Sequence, residues 1–397
     1  MKQTDIFISG GGIAGLLAAL ALGAERYNVT CVDPNPIVDN SDDPLADLRT
    51  AAYLQPAQTL LAQLGLWDAL EPWATELQIM RLADAGGREG TIREVADFNA
   101  QEIGSKPFGW NIPNWRMRKI IAREIEARPN INFIAKTQVT SVFTRDGEAR
   151  IALSNEAPFT AQLLVGADGR DSFVREAVGI RAKTTRYGQK ALVFMVTHAW
   201  RHENISTEVH RSGGAFTLVP LPDYKGSPAS AVVWMDFSAE CDRRMAITDA
   251  AFNSEATERS GEVLGDLSIV SRRQSWPIIT RRAARLTAER TALIAEAAHV
   301  MPPIGAQGLN MSVNDILALK DASLRHGLGT SDMLRDYERA REGDIMLRQT
   351  GIDLLNRAAM TRSENLQALR LKGLQTLHGF APLRRSAMEL GLGARQS

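Results

Sequence analysis

Apolar positions along the first part of the chain predict a strand, a helix and a second strand. Residues 4–9 are a short apolar run, 16–24 are alanine and leucine on every side, and 28–33 ("NVTCVD") are apolar and β-branched. A helix that is apolar all round is covered all round, so this one is buried. Strand, helix and strand within about thirty residues match the size of a right-handed parallel crossover. Asp5 and the glycine-broken turn after the first strand argue against a signal peptide or membrane span over 6–24.

A polar loop, "DPNPIVDNSDDPLAD", follows. Helical patterns then lie near 55–64 and 115–128, and residues 131–165 alternate as three strands with turns at "RDG" and "SNEAP". The block 185–240 ("KALVFMVTHAW", "GAFTLVPL", "SAVVWMDF") reads as antiparallel strands, and helices return over 311–320 and from 331 onward. This order predicts an α/β (α+β) protein: a Rossmann-like nucleotide domain, an inserted antiparallel β-sheet substrate domain, and C-terminal helices.

With 397 residues the chain exceeds one compact core. Its 46 basic and 46 acidic residues leave no net field to gather a polyanion, which excludes nucleic acid as a partner. Cys31 and Cys241 are the only cysteines, so no disulfide framework is expected and a reducing compartment fits. The six histidines lack ligand spacing, and no metal site is expected.

The turn "SGGGIAGLLAAL" holds Gly10-x-Gly12-x-x-Gly15 between strand and helix. In such a turn the first glycine permits the tight bend, the second lets backbone approach a pyrophosphate, and the third lets the helix pack closely. The helix start then supplies amide donors and partial positive charge. A purely structural turn would look the same. Asp33, closing the second strand 18 residues after Gly15, adds a carboxylate placed to accept ribose hydroxyls. Either NAD or FAD presents its ADP to such a turn.

A second motif, "AQLLVGADGRDSFVR" (161–175), runs an apolar strand into Gly166-Ala167-Asp168-Gly169, with Ser172 and Arg175 beyond. An ordinary strand-to-helix turn capped by aspartate would suffice to explain it alone. It also resembles the Asp-Gly motif of the single-component FAD-dependent aromatic hydroxylases, the group typified by para-hydroxybenzoate hydroxylase. That resemblance implies that Asp168 and Gly169 bound the flavin pyrophosphate near the route of the nicotinamide donor.

The stretch "ALIAEAAHVMPPIGAQGLNMSVNDILAL" (292–319) extends the resemblance, with Ala295-Glu296, Ala297-Ala298-His299, Pro302-Pro303 and Gly305-Ala306-Gln307-Gly308-Leu309-Asn310. The family pattern implies that Glu296 holds the ribityl hydroxyls of FAD and that Pro303 walls the flavin's reacting edge. It also implies that amides of Gly308, Leu309 and Asn310 face the pyrimidine end, where charge accumulates on reduction. Pro302 and Pro303 bring no competing N–H. The family writes Gly-Asp where this chain has Ala295-Glu296. If that position needs φ > 0, alanine strains it by roughly 1 kcal/mol, with FAD binding expected to persist. His299 is expected to be a packed residue bonded to backbone.

"DLRTAAYLQPA" (Asp47, Arg49) matches the segment that places an arginine over the flavin, so Arg49 and Pro303 are the expected catalytic pair. The resemblance further assigns Ile13, Ala14, Arg118 and Val139 to the cofactor. It covers almost the whole chain and is nearest to the ubiquinone-biosynthesis hydroxylases, because Gln307 and Met311 within "PPIGAQGLNMSVNDI" follow the quinone-pathway version. Implied with it are FAD, NAD(P)H as donor, O2 as co-substrate, and ring hydroxylation through a flavin C4a-hydroperoxide.

The implied substrate is a polyprenylated phenol, bound in an apolar channel for which Phe216, Leu218, Pro220 and Trp234 are the candidate lining. A soluble aromatic substrate and a non-catalytic scaffold of quinone synthesis are the alternatives. No general base stands out, Tyr187 being the one candidate. The expected segments are FAD-binding over 1–75, 111–183 and 278–345, substrate-binding over 76–110 and 184–277, and a C-terminal helical part over 346–397. That last part carries leucines at 366, 369, 374 and 377 and docks on the core, or else presents a basic face to a membrane or a biosynthetic complex. A cytoplasmic location, peripheral to the inner membrane in the second case, is expected.

Overall fold

A computed structural model describes residues 1–87 and 91–392. Residues 88–90 and 393–397, which fall within the expected segments 76–110 and 346–397, lie outside that description.

The chain opens with β1 (Lys2–Ser9), α1 (Ile13–Ala24) and β2 (Val29–Asp33), then β3 (Thr50–Leu54), α2 (Gln55–Gln63) and the single turn α3 (Trp67–Leu70). Next come β4 (Thr75–Leu77), β5 (Ile79–Asp84), β6 (Glu94–Asn99), β7 (Gly109–Pro113), α4 (Asn114–Glu126), β8 (Ile131–Ala135), β9 (Val139–Thr144), β10 (Ala149–Leu153), β11 (Phe159–Gly166) and α5 (Phe173–Ala177). The long strands β12 (Ala182–His198), β13 (Ile205–Arg211), β14 (Gly214–Tyr224) and β15 (Ser227–Phe237) precede α6 (Ser238–Ala246), α7 (Asp249–Arg259), β16 (Leu267–Ile269), β17 (Gln274–Ala283), β18 (Thr287–Ala288) and β19 (Thr291–Leu293). The one-turn α8 (Ala295–Ala298), β20 (His299–Val300), α9 (Gln307–His326), α10 (Ser331–Met360), α11 (Glu364–Gly379) and α12 (Ala381–Leu392) complete it.

The first sheet runs β18-β19-β11-β1-β2-β8, with β1 parallel to both β2 and β11 and β2 parallel to β8. Leu16 to Leu22 of α1 are buried, as an all-apolar helix requires. The helix begins at Ile13, three residues before the sequence pattern places it, because its first turn is the glycine turn itself. Residues 131–165 give four strands rather than three. Ile131–Ala135 pairs with β2 as a separate parallel strand, and the alternation of Val139–Gly166 belongs to the β9-β10-β11 meander beside it.

The second sheet runs β20-β17-β12-β15-β14-β13-β5-β6 and is largely antiparallel. Its register sorts side chains by face, since directly paired residues share one. Leu192, Phe216 and Trp234 are mutual neighbours on one face, whereas Ala191, Met235 and Trp276 are neighbours on the other. The first face is roofed by α6 and α7: ring centroids of Phe194 and Trp234 lie 4.8 and 5.8 Å from Phe252 of α7, and Cys241 of α6 joins the same cluster.

This overturns the expected channel lining. Phe216, Leu218 and Trp234 are closed core beneath α7, with at most 1% of their surface exposed. Pro220 is also buried, and its carbonyl accepts from Asn111 Nδ2 at 2.9 Å, tying β14 to β7. The opposite face meets the loop after β20: Met301 and Ile304 pack with Ala191, Val233, Met235 and Ile278. From 331 onward the chain forms three helices. Leu374, Leu377, Met388 and Leu392 of α11 and α12 pack on β5 and β6, while Leu366 and Leu369 face outward.

Candidate active site

At the first turn, Gly10 adopts φ +107°, and a Cβ on Gly15 would lie 1.8 Å from the Gly10 carbonyl oxygen. Gly15 therefore answers to helix packing. A Cβ on Gly12 would meet nothing within 4 Å, so that glycine opens onto free space at the α1 N-terminus. Gly12 is the N-cap and has no capping side chain, which leaves the first-turn amides, including those of Ile13 and Ala14, facing that space.

Asp33 ends β2 beside this turn. Its Oδ2 accepts from the Gly11 amide at 2.8 Å and its Oδ1 from Asn35 at 2.8 Å. Arg118 of α4 reaches the same place: Nε donates to the Gly11 carbonyl at 2.7 Å, Nη1 to the Pro36 carbonyl at 2.6 Å, and Nη2 lies 3.2 Å from Asp33 Oδ1. Val139 is buried at the start of β9, and the Thr137 amide two residues earlier donates to the Asp33 carbonyl at 3.0 Å. These residues, scattered in sequence, share one end of the first sheet.

Asp168 follows β11, and Gly169 takes φ +83° beside it. The Asp168 Oδ2 accepts from the Val174 amide at 2.9 Å, while its Oδ1 is buried with no partner. Burial lifts this carboxyl above the usual range, against the opposing pull of Ser172, nearby amides and Arg175. A buried acceptor without a donor calls for a ligand hydroxyl or water. Arg175, also buried, donates to the carbonyls of Arg170 and Ala297, joining this turn to α8.

Ala295 has φ +54°, so the conformation that glycine would take without strain is taken here by alanine. The adjacent Glu296 reaches Arg170 at 3.6 Å. His299 is buried and bonds a carboxylate rather than backbone, its Nε2 lying 2.6 Å from Asp315 Oδ2. In the loop beyond, Ile304 donates to the Pro302 carbonyl at 2.8 Å. Pro303 is exposed, and its carbonyl has no partner among the described residues.

Gly305 and Ala306 are both left-handed, at φ 64° and 55°, and α9 starts directly after them. Ala306 offers no capping side chain, so the amides of Gly308 and Leu309 stand unpaired in the first turn of a 20-residue helix. The Asn310 side chain is structural. Its Nδ2 donates to Ala52 and Ala306 carbonyls at 2.8 and 2.6 Å, and its Oδ1 accepts from Leu54 at 3.0 Å, fastening α9 to β3.

Arg49, just before β3, grips Asp47 through Nε and Nη2, both at 2.8 Å, and its guanidinium lies 4.4 Å from the Trp276 ring centroid. Burial of Asp47 is outweighed by Arg49 and Asn114, which hold its carboxyl below the usual range. Arg170 approaches the same indole at 5.7 Å. Trp276 shares with Ala191 and Met235 the face of the second sheet that turns away from α6 and α7. Trp276 and Arg170 were not singled out in the sequence. The alternation of "SWPIIT" could have placed Trp276 with Ile278 on one face, but no local signal shows which face meets the nucleotide domain.

These residues fit FAD. An amide-lined gap at Gly12, an orphaned acceptor on Asp168 and unpaired amides at Gly308 and Leu309 are the donors and acceptor that an anionic, hydroxyl-rich dinucleotide takes up.

A family model described as an FAD binding domain matches residues 3–345. The chain is similar over its length to ubiquinone hydroxylase UbiL of Rhodospirillum rubrum, with 30% identity over 403 residues covering 99% of this chain and 90% of that protein. It is likewise similar to 3-demethoxyubiquinol 3-hydroxylase of Escherichia coli, 26% identical over 402 residues that cover 99% of each. Among solved structures, p-nitrophenol 4-monooxygenase from Pseudomonas putida matches 100% of both chains with a TM-score of 0.81 at 18% identity, a likeness of fold. FAD, NAD(P)H and O2 are the partners of this class. The chain thus belongs to the FAD-binding-domain family and is an FAD-dependent aromatic monooxygenase.

Proposed function

We propose that this enzyme hydroxylates the aromatic ring of a polyprenylated phenol in ubiquinone biosynthesis. The observation that carries the reading is the likeness over 99% of the chain to a ubiquinone hydroxylase and to a demethoxyubiquinol hydroxylase, and it is supported by the apolar seam where Met301 and Ile304 of the proline loop pack against Ala191, Val233 and Met235. Tyr187, the one polar member at its margin, already donates its hydroxyl to Asp353 and lies 2.7 Å from Thr280 Oγ1. Burial and Asp353 push its phenol up to about 12, so it keeps its proton and does not serve as the base. A seam of this kind suits a ring whose affinity comes from buried hydrocarbon, at about 0.8 kcal/mol per CH₂ of the tail.

Bound FAD supplies the redox chemistry, taking electrons from NAD(P)H and passing them to O2. The chain's own residues bind, orient and exclude water. Gly12, Asp33 and Arg118 would hold the ADP half, Asp168 and Gly169 would bound the pyrophosphate, and Glu296 would hold the ribityl hydroxyls. Arg49, stacked on Trp276, would lie over the ring system. The first-turn amides of α9 stabilise negative charge at the pyrimidine end, acting from the positive end of the helix. Pro303 walls the reacting edge and brings no N–H of its own. Segments 76–110 and 184–277 form the substrate half and the remaining segments up to 345 the cofactor half.

The outward faces of the last helices support access to a lipid-borne substrate. Leu347, Leu354 and Leu355 of α10, Leu366 and Leu369 of α11, and Leu390 of α12 are all more than half exposed. No helix among the described residues is long and apolar enough to cross a membrane. We read these faces as the lipid contact, and removing residues from 361 onward, which takes away Leu366, Leu369 and Leu390 but leaves the leucines of α10, should weaken liposome binding. Unchanged partitioning would remove the membrane contact.

The substrate test is consumption of NAD(P)H and O2 by the FAD-loaded enzyme with a prenylated phenol and with its tail-free analogue, followed by product mass. The tailed phenol should gain one oxygen atom and couple better. Equal or better coupling with the tail-free ring would favour a soluble aromatic substrate, and no oxygen transfer to any phenol would favour a scaffold.

A further inference from the structure

The loop that carries Glu296, Pro302 and Pro303 begins and ends with left-handed alanines, Ala295 and Ala306. Such residues persist only where their surroundings over-determine them. At the first, the Ala295 amide donates to Asp315 Oδ2 at 2.9 Å, and the fully buried Asp315 also takes His299 at 2.6 Å and Arg341 Nε at 2.7 Å. At the second, Gln307 folds its Nε2 back onto the Gly305 carbonyl at 2.9 Å and onto the Gly391 carbonyl of α12 at 3.1 Å. Its Oε1 accepts from Arg348 Nη1.

The two anchors are one structure. Arg341 Nη1 donates to Asp344 Oδ2 at 2.8 Å, and Arg348 Nε donates to Asp344 Oδ1 at 2.7 Å. Positions 341, 344 and 348 follow each other at i, i+3 and i+7 along one face of α10. A ladder that only fastened α10 to α9 could end on any carbonyl of α9. The bond from Arg341 to the Met311 carbonyl, at 3.4 Å, is of that kind. The ladder's two ends instead lie at the two strained residues that frame the loop.

We infer that the Arg341–Asp344–Arg348 ladder of α10 is a positioning device for the cofactor-facing loop, and that Arg348, acting through Gln307, sets the first-turn amides of α9. Arg348 also adds a cation behind the positive end of α9, so the ladder supplies potential as well as geometry. This rests on the FAD assignment and not on the identity of the phenol.

The test uses the full-length chain and three variants: Arg348→Met, Arg348→Lys and Gln307→Leu. FAD is titrated into flavin-free protein, and sulfite, whose addition to bound flavin is favoured by positive potential at its pyrimidine end, is titrated into the loaded protein. Arg348→Met should weaken FAD binding by about ten-fold and weaken sulfite binding in the same direction, with the melting temperature of the flavin-free protein unchanged. Arg348→Lys, which keeps a cationic donor, should recover most of both. Gln307→Leu should reproduce the loss of FAD affinity, and it decides the matter alone if Arg348→Met does not fold.

Unaltered FAD and sulfite affinities in Arg348→Met and Gln307→Leu would overturn the inference, as would losses that appear only together with a lower flavin-free melting temperature. A wild-type chain that takes up no FAD would instead overturn the flavin assignment itself.

Discussion

The two faces of the second sheet come from the same alternating strands and do opposite jobs. Under α6 and α7, Leu192, Phe194, Phe216 and Trp234 close into a core with no exposed surface beyond 1%. On the other side, Ala191, Val233, Met235 and Trp276 meet a loop held by left-handed alanines, a buried ion network and arginines stacked on an indole. Both faces are filled, and the second in addition meets a strained backbone held against it by polar anchors. Ala295 and Ala306, two of the non-glycine residues with positive φ, frame the loop on that second face, and we read them as preorganising a site there.

The largest effect that separates the faces is expected at Trp234. Trp234→Ala should cost about 3–5 kcal/mol in denaturant unfolding, while molecules that remain folded bind FAD as before. A large change in FAD affinity there would break the division of labour.

Asp315 sharpens the other side. Its carboxyl is held below the usual range because His299 and Arg341 outweigh the cost of its burial. A depressed folded value means that its stabilisation is complete above the unfolded carboxylate value of about 3.9 and is lost as pH falls through the lower folded value. Asp315→Asn should therefore cost about 2–3 kcal/mol at neutral pH and flatten the acid limb of stability below about pH 4. An unchanged acid limb would contradict the network's role.

Trp276→Leu is expected to be milder in stability, about 1 kcal/mol for the half-buried cation–π contact with Arg49, but to lower turnover on the phenol more than stability. Stability and turnover falling together would make Trp276 one more core residue. The smallest effect is a gain. Ala295→Gly should relieve the left-handed strain but give back part of it as chain entropy, leaving about 0.5 kcal/mol of stabilisation in the flavin-free protein.

The opening crossover, the glycine turn, Asp33, Asp168 and the proline loop were all legible in the sequence because each is a local pattern with a fixed spacing. The same motif left open whether position 295 needs φ > 0, and Ala295 takes φ +54°. Which face of the β block meets the site was not legible. Period-two alternation shows that Phe216 and Leu218 share a side, but the covering helices α6 and α7 come later in the chain. The partner of His299 was equally hidden, since Asp315 and the Arg341 that shares it lie 16 and 42 residues away on two separate helices. Trp276 gains its meaning only from Arg49 and Arg170, which approach from the loop before β3 and the turn after β11.

The most direct measurement is the visible spectrum of purified protein loaded with FAD and then passed through gel filtration, for the wild type and for Gly12→Leu. A Cβ at Gly12 enters free space, so the variant should fold while its larger side chain blocks the cofactor. The wild type should keep its flavin bands and the variant should emerge colourless with an unchanged melting temperature. A colourless wild type, or a variant as yellow as the wild type, would contradict the account.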